Sequence, residues 1–233
     1  MNTKLKNIGI ELNKEKEELF NKYISLFLDY NKKVNLISKN DEAVLFEKHI
    51  YDSLSINLFL KKYEIKKAKI MDIGTGGGFP SLPLAIFNDE LKITAVDSIK
   101  KKINFIETTA NDLNLKNINP ICSRVEDLEE GLKNSFDIVT TRAMADLREI
   151  LEYAIPYVKT GGFFIAYKSL KAEEELDNAK NALKVLNTIL LEKIEYTLPI
   201  EDNNRRVLLI FKKNKNIANS YPRKNGLVKK KPL

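Results

Sequence analysis

"MDIGTGGGFP", residues 71–80, places four glycines in ten residues of a chain that has only nine glycines in all. Upstream, "KIMDIG" is a short apolar run. Downstream, Leu82–Phe87 has the spacing of a helix. Glycine lets a backbone turn sharply and approach a ligand with no Cβ in the way. Gly74, Gly76, Gly77 and Gly78 together exceed what a strand-to-helix turn requires. The stretch therefore predicts a ligand-binding loop on the first strand of an open α/β sheet.

The same pattern continues beyond the loop. "KITAVDS", "INPICS", "FDIVTTRA" and "GGFFIAYKS" are further short apolar runs. Helix-like stretches separate them at Lys100–Leu113, Val125–Leu132, Leu147–Val158 and Leu170–Leu186. Strands alternating with helices imply a parallel sheet with crossovers. "LEKIEYTLPI" and "RRVLLIFKK", joined by "EDNN", read as a strand pair, which gives the sheet one antiparallel edge strand. Before residue 67 the pattern is helical. Leu19, Phe20, Tyr23, Ile24, Phe27 and Leu28 share a face, and residues 41–63 repeat the style with Asp41 as a candidate N-cap. Three segments result: a helical lobe over 1–66, a Rossmann-like domain over 67–213 and a basic tail over 214–233.

Composition sets the class. The 43% hydrophobic and 30% charged content suits a globular protein, and no apolar run reaches the roughly 20 residues that span a bilayer. Cys122 and His49 are the sole cysteine and histidine, so neither a disulfide nor a cysteine metal cage is expected. These features point to the cytoplasm, with no membrane and no metal. Eight of the 39 Lys and Arg residues lie from Lys212 onward, where there is no acid. The remainder carries 31 bases against 32 acids, so the net +7 resides in the tail. Such a block suits a polyanion, although a lysine-rich chain also scatters cations on its surface.

The loop itself narrows the ligand. A phosphate-binding P-loop needs Gly-Lys-Ser/Thr, which is absent, and G-x-G-x-x-G fails at Phe79 and at Ser81. What remains is D-x-G-x-G-x-G from Asp72 to Gly78, followed by Asp97 at the end of the second strand. A carboxylate there can accept hydrogen bonds from both ribose hydroxyls. This combination resembles the class I S-adenosylmethionine methyltransferases, whose fold is a seven-stranded, mostly parallel sheet.

"VNLIS", "HIYDS", "MDIGTGGGFPSLPLAI", "SRVED", "TTRAMADL" and "YPRKNG" follow the order and spacing of one group within that class. The chain resembles the bacterial small-subunit rRNA guanine-N7 methyltransferases, the glucose-inhibited division protein B family. Val228 departs from it where some relatives carry proline. The resemblance implies S-adenosylmethionine as cofactor and 16S rRNA or a small-subunit particle as partner. It places cofactor contacts at Gly74, Phe79, Val125, Glu126 and Arg142, with Gly76 and Gly78 in the loop and Asp97 on the ribose. It draws His49, Asp52 and Ser53 toward the guanine, with Arg142 shared between cofactor and substrate. Lys168, Tyr221 and Arg223 are candidate RNA contacts.

The chemistry fits this inventory. Guanine N7 carries a free lone pair, so in-line attack on a sulfonium methyl needs alignment and no general base. Carbon-5 pyrimidine methylation would need a cysteine after the fourth strand, where "TTRAM" stands. The Asn/Asp-Pro-Pro-aromatic motif of amine methylation is also absent. A methyltransferase of small molecules or proteins, or a non-catalytic nucleotide-binding regulator, are the other function classes compatible with this fold.

Overall fold

The computed structural model describes residues 1–142, 146–169, 172–201, 204–224 and 226–233. The amino-terminal helices are α1 (Asn2–Leu5), α2 (Lys14–Val34), α3 (Lys39–Glu42), α4 (Tyr51–Leu54) and α5 (Asn57–Lys62), with a π-turn at Phe46–Ile50 before α4. Helix α2 illustrates why they form. Asn13 caps it by accepting from Lys16 N, acids fill its first turn and lysines its last, and Asn35 in the left-handed region ends it. Phe20, Tyr23 and Phe27 form its buried stripe.

The 41–63 segment differs from the single helical style expected. It is broken into short pieces, and Ser38, not Asp41, caps the first of them. Asp41 instead pairs with Lys48 at 2.5 Å.

The remaining elements are β1 (Ala68–Ile73), α6 (Ser81–Phe87), β2 (Leu91–Asp97), α7 (Lys100–Asp112), β3 (Ile118–Cys122), β4 (Phe136–Arg142), α8 (Leu147–Ala154), β5 (Val158–Ser169), α9 (Ala172–Asn178), α10 (Lys180–Val185), β6 (Thr188–Thr197), β7 (Arg205–Lys213) and α11 (Leu227–Lys230). The sheet order is β3-β2-β1-β4-β5-β7-β6. Strands β1 to β5 pair in parallel, whereas β7 is antiparallel to β5 and β6. The antiparallel edge expected from the hairpin is thus present. Strand β1 is central and buried on both faces, which explains its unbroken apolar run.

Two apolar layers enclose the sheet. On one face, Phe20, Tyr23, Phe27, Tyr51, Leu54 and Phe59 of the helical segment join Ile70, Ile93 and Ile106 in one cluster. On the other, Leu147, Ile150 and Leu151 of α8 pack with Met71, Val96 and Phe164. Tail residues Ile217, Tyr221 and Leu233 pack against this second cluster, and Val228 is fully buried. The carboxyl-terminal segment is therefore docked on the domain.

Between β3 and β4 the helix expected over Val125–Leu132 is not formed. Two three-residue 3-10 turns, Val125–Asp127 and Glu130–Leu132, replace it. Leu128 and Glu129 between them are extended, which breaks the helical hydrogen-bond ladder.

Candidate active site

Parallel strands present their carboxyl ends to one rim of the sheet, and β1 ends there in the glycine loop. The amides of Gly74 and Thr75 both donate to Val96 O, at 2.9 and 3.0 Å, which folds the loop toward β2. Gly74, Gly76 and Gly78 all have positive φ, a region that side chains rarely adopt. Beneath the loop, Asp72 is buried and accepts from Ser81 Oγ at 2.7 Å. Burial pushes its carboxyl up to about 6. Asp72 is thus an anchor under the loop.

Asp97 closes β2 and holds the loop from the side. One oxygen accepts from Gly76 N and the other from Ile99 N, each at 2.9 Å. Around it opens a cleft of about 430 Å³ lined by Gly74, Asp97, Ile99, Val125, Glu126 and Tyr153. Four residues expected at the cofactor therefore converge on one concavity. A Cβ on Gly76 would meet only the Gly74 carbonyl, at 3.8 Å, so the loop backbone lies open to a ligand. Sequence reading missed Tyr153 because α8 reaches the cleft only through the fold.

Phe79 and Gly78 have different surroundings. Phe79 is buried against Tyr23, Phe27 and His49, tying the amino-terminal helices to the loop. Gly78 is crowded by Leu82, to which an added Cβ would come within 2.6 Å.

A second pocket, about 260 Å³, is lined by Lys48, His49, Asp52, Arg142, Tyr167, Lys168, Ser169 and Arg206. Arg142 is its hub. Its Nη2 approaches His49 Nδ1 at 2.5 Å, and its Nη1 donates to Asp52 Oδ2 at 2.9 Å. Its guanidinium also lies over the Phe79 ring, 5.1 Å from the centroid. Tyr196 donates to the other Asp52 oxygen at 2.5 Å. Burial, with Arg142 beside it, holds the His49 imidazole down to about 3, so the ring is neutral at neutral pH. Its Nδ1 then accepts from Arg142 and its Nε2 carries the proton. Both oxygens of Asp52 and the ring lone pair of His49 are already engaged.

Ser53 is fully buried and donates to His49 O, so it faces its own helix and not the pocket. Lys168 reaches the pocket and pairs with Glu175 at 2.6 Å. Tyr221 and Arg223 lie on the α8 side of the sheet, where Arg223 pairs with Glu152. Lys48, Tyr167, Tyr196 and Arg206 join the pocket without having been singled out, since no local signal marks them.

The cleft and the pocket adjoin. Gly74 follows Ile73, whose register partner on β4 is Thr141, and Arg142 comes next. Residues Ala143, Met144 and Ala145, from "TTRAMADL", lie outside the described residues. Among the described residues no cluster of His, Cys, Asp or Glu is grouped to hold a metal, and no helix is long and apolar enough to cross a membrane.

The family model for rRNA small subunit methyltransferase G matches residues 16–206. The chain belongs to that family. A ribosomal RNA small subunit methyltransferase G of Clostridium botulinum (strain Eklund 17B / Type B) is 40% identical over 231 residues, covering 97% of this chain and 95% of that protein. One from Leuconostoc citreum (strain KM20) is 36% identical over 98% of this chain and 96% of its own length. Solved structures agree on the fold alone. M. jannaschii TYW2 in complex with AdoMet superposes with TM-score 0.53 at 17% identity, covering 64% of this chain and 70% of that one. The ribosomal protein L11 methylase of Lactobacillus delbrueckii subsp. bulgaricus gives 0.53 at 15% identity, over 72% of this chain and 79% of that one. In this rRNA small subunit methyltransferase G family member, the glycine loop and the Asp97 end of β2 border the cleft described above.

Replacing Asp97 by alanine removes the loop's lateral hydrogen bond and the carboxylate that lines the cleft. If Asp97 holds the cofactor's ribose, affinity is expected to fall by about 1–3 kcal/mol, roughly five- to 150-fold. Titration calorimetry on the folded variant checks this; unchanged affinity would take Asp97 out of the site.

Proposed function

We propose that this chain transfers a methyl group from S-adenosylmethionine to N7 of a guanine in 16S rRNA, in the cytoplasm, where small-subunit particles are its partners. The observation that carries this reading is the union of two concavities at the β1–β4 junction. One, bordered by the glycine loop and Asp97, would take the adenosyl group, and the other is lined by cations and offers no free base among the described residues.

When bound, S-adenosylmethionine supplies a sulfonium-activated methyl group. The residues of the chain do the rest. Asp97 and the 3-10 turn carrying Val125 and Glu126 hold the adenosine, and the glycine loop approaches its amino-acid end. Arg142, fixed by His49 and Asp52 and stacked on Phe79, stands between the two concavities. Cations suit the Hoogsteen edge of guanine, whose O6 and N7 are both acceptors. Lys48, Lys168 and Arg206 ring the pocket where the flanking phosphates would enter. His49 Nε2 already carries its proton, Nδ1 cannot take one without breaking its contact to Arg142, and N7 has no proton to lose. Catalysis then rests on alignment.

The experiment is methyl transfer from labelled cofactor to a 16S rRNA transcript and to small subunits, with the product mapped as N7-methylguanine. The rate is expected to be flat with pH from 6.5 to about 9, because His49 titrates near 3, far below that window. His49→Gln lowers turnover without changing the profile. A wild-type inflection near pH 6.5 that His49→Gln abolishes would sink base-free transfer. Methylation of another atom would sink the guanine-N7 reading.

A further inference from the structure

The missing helix between β3 and β4 leaves part of the sheet uncovered. Helix α7 packs on β2 and β3 from one side. On the other side, among the described residues, the two 3-10 turns lead toward β4, and Leu132 of the second lines the opening. Side chains alternate along a strand, so Lys69 shares a face with Met71, and Lys92 and Thr94 share one with Val96. Met71 and Val96 belong to the α8 cluster, so these residues point to that side, below the point where the apolar layer ends.

There they line an open groove of about 440 Å³, with Lys116, Asn119, Leu132 and Ser135 completing it. Lys69 and Lys92 are register partners on β1 and β2, and Lys116 leads into β3, which pairs with β2. Adjacent strands lie about 4.8 Å apart, so Lys69 and Lys92 stand side by side, and Lys116 lines the same groove two residues before β3.

Ion pairing separates these lysines from the ones beside them. Neighbouring lysines have acidic partners: Lys67 pairs with Glu90, Lys159 with Asp137 and Lys133 with Glu130. Lys69, Lys92 and Lys116 are exposed and make no ion pair among the described residues. The acids beside the groove are thus already engaged, while three cations stand along a trough that Ile93, Ile118, Leu132 and Phe136 also line.

We propose that this groove binds the phosphate backbone of the RNA substrate, at a site on the amino end of the strands and remote from the target nucleotide. The proposal rests on the reading that the substrate is rRNA. It adds to the cations around the Arg142 pocket a second cationic surface, at the amino end of the strands. With one phosphate per ammonium, the groove accounts for up to three contacts. Each contributes about 0.7 to the slope of log affinity against log salt on a single strand.

The test compares the full chain with Lys69→Gln/Lys92→Gln/Lys116→Gln, titrated against a 16S rRNA transcript at several salt concentrations. The triple variant is expected to bind at least tenfold more weakly at low salt, with a slope shallower by about 2. Its melting temperature and S-adenosylmethionine affinity should match wild type. A second triple variant, Lys14→Gln/Lys180→Gln/Lys184→Gln, removes the same charge elsewhere and is expected to change little. Unchanged affinity and slope in the first variant, or equal loss in the second, would overturn the groove. A wild-type chain that binds no RNA would instead overturn the functional reading on which the groove depends.

Discussion

Arg223→Ala is expected to destabilise the protein by about 3–5 kcal/mol. The reason lies in Glu152, whose side chain is completely buried on α8. Arg223 is its counterion in bidentate geometry, with Nε 2.7 Å from Oε1 and Nη2 2.6 Å from Oε2. Its backbone amide donates to Oε1 as well, at 3.0 Å, and its Nη2 also reaches Lys231 O at 2.9 Å. Alanine removes the cation and leaves a carboxylate in the protein interior. That penalty is far larger than the net worth of the pair, so an apolar replacement of both partners should recover most of it. Urea unfolding of Arg223→Ala and of Glu152→Leu/Arg223→Leu checks both statements. If the single variant unfolds at the wild-type urea concentration, the clamp is not holding the tail.

This clamp also changes how the tail is tested. Truncation after Phe211, attractive from charge alone, would remove more than charge. Lys213 is fully buried and donates to Asn134 Oδ1, Ile155 O and Val158 O, while burial holds its ammonium down to about 8. Val228 and Arg223 would be lost with it. Glutamine at the exposed Lys224, Lys229, Lys230 and Lys231 isolates the electrostatic role, since these residues carry charge without filling the core.

What was legible in the sequence follows from the range of the forces involved. The glycine loop could be read because positive φ is a local demand that one residue type meets at little cost. The alternation of strands and helices was equally local. Val125, Leu128 and Leu132 misled because their spacing fits a helix, yet Val125 and Leu132 reach the apolar layer from two separate short turns and Leu128 from the extended link between them. Periodicity reports which side chains are buried, not the hydrogen bonds between them. Arg142, His49 and Asp52 could be proposed one by one, but not their junction. The contact from Arg142 to His49 spans 93 residues, and the hydroxyl of Tyr196 reaches Asp52 across 144. Only strand order places those atoms together. Arg223 appeared as a free cation because nothing local announces that Glu152, 71 residues earlier, is buried.

Gly78→Ala is the second large effect expected, and Gly76→Ala is its contrast. Both glycines have positive φ, +84° at Gly78 and +58° at Gly76, so a side chain costs each about 1–2 kcal/mol in backbone strain. At Gly78 a Cβ would also stand 2.6 Å from Leu82 Cδ1 and 3.0 Å from its Cγ. Leu82 cannot swing away, being fully buried in the first turn of α6. Overpacking of that kind adds about 1–3 kcal/mol, for a total near 2–5. At Gly76 no such wall exists; the space beside it is where the cofactor's amino-acid end would lie. Gly78→Ala should therefore lower the urea midpoint strongly, and any loss of cofactor binding should follow from loss of fold. Gly76→Ala should lose only the strain term in stability while its S-adenosylmethionine affinity falls. Measuring both quantities on both variants separates the two roles. If Gly78→Ala is as stable as Gly76→Ala, the contact with Leu82 is not what requires glycine there, and Gly78 would have to be explained by ligand contact.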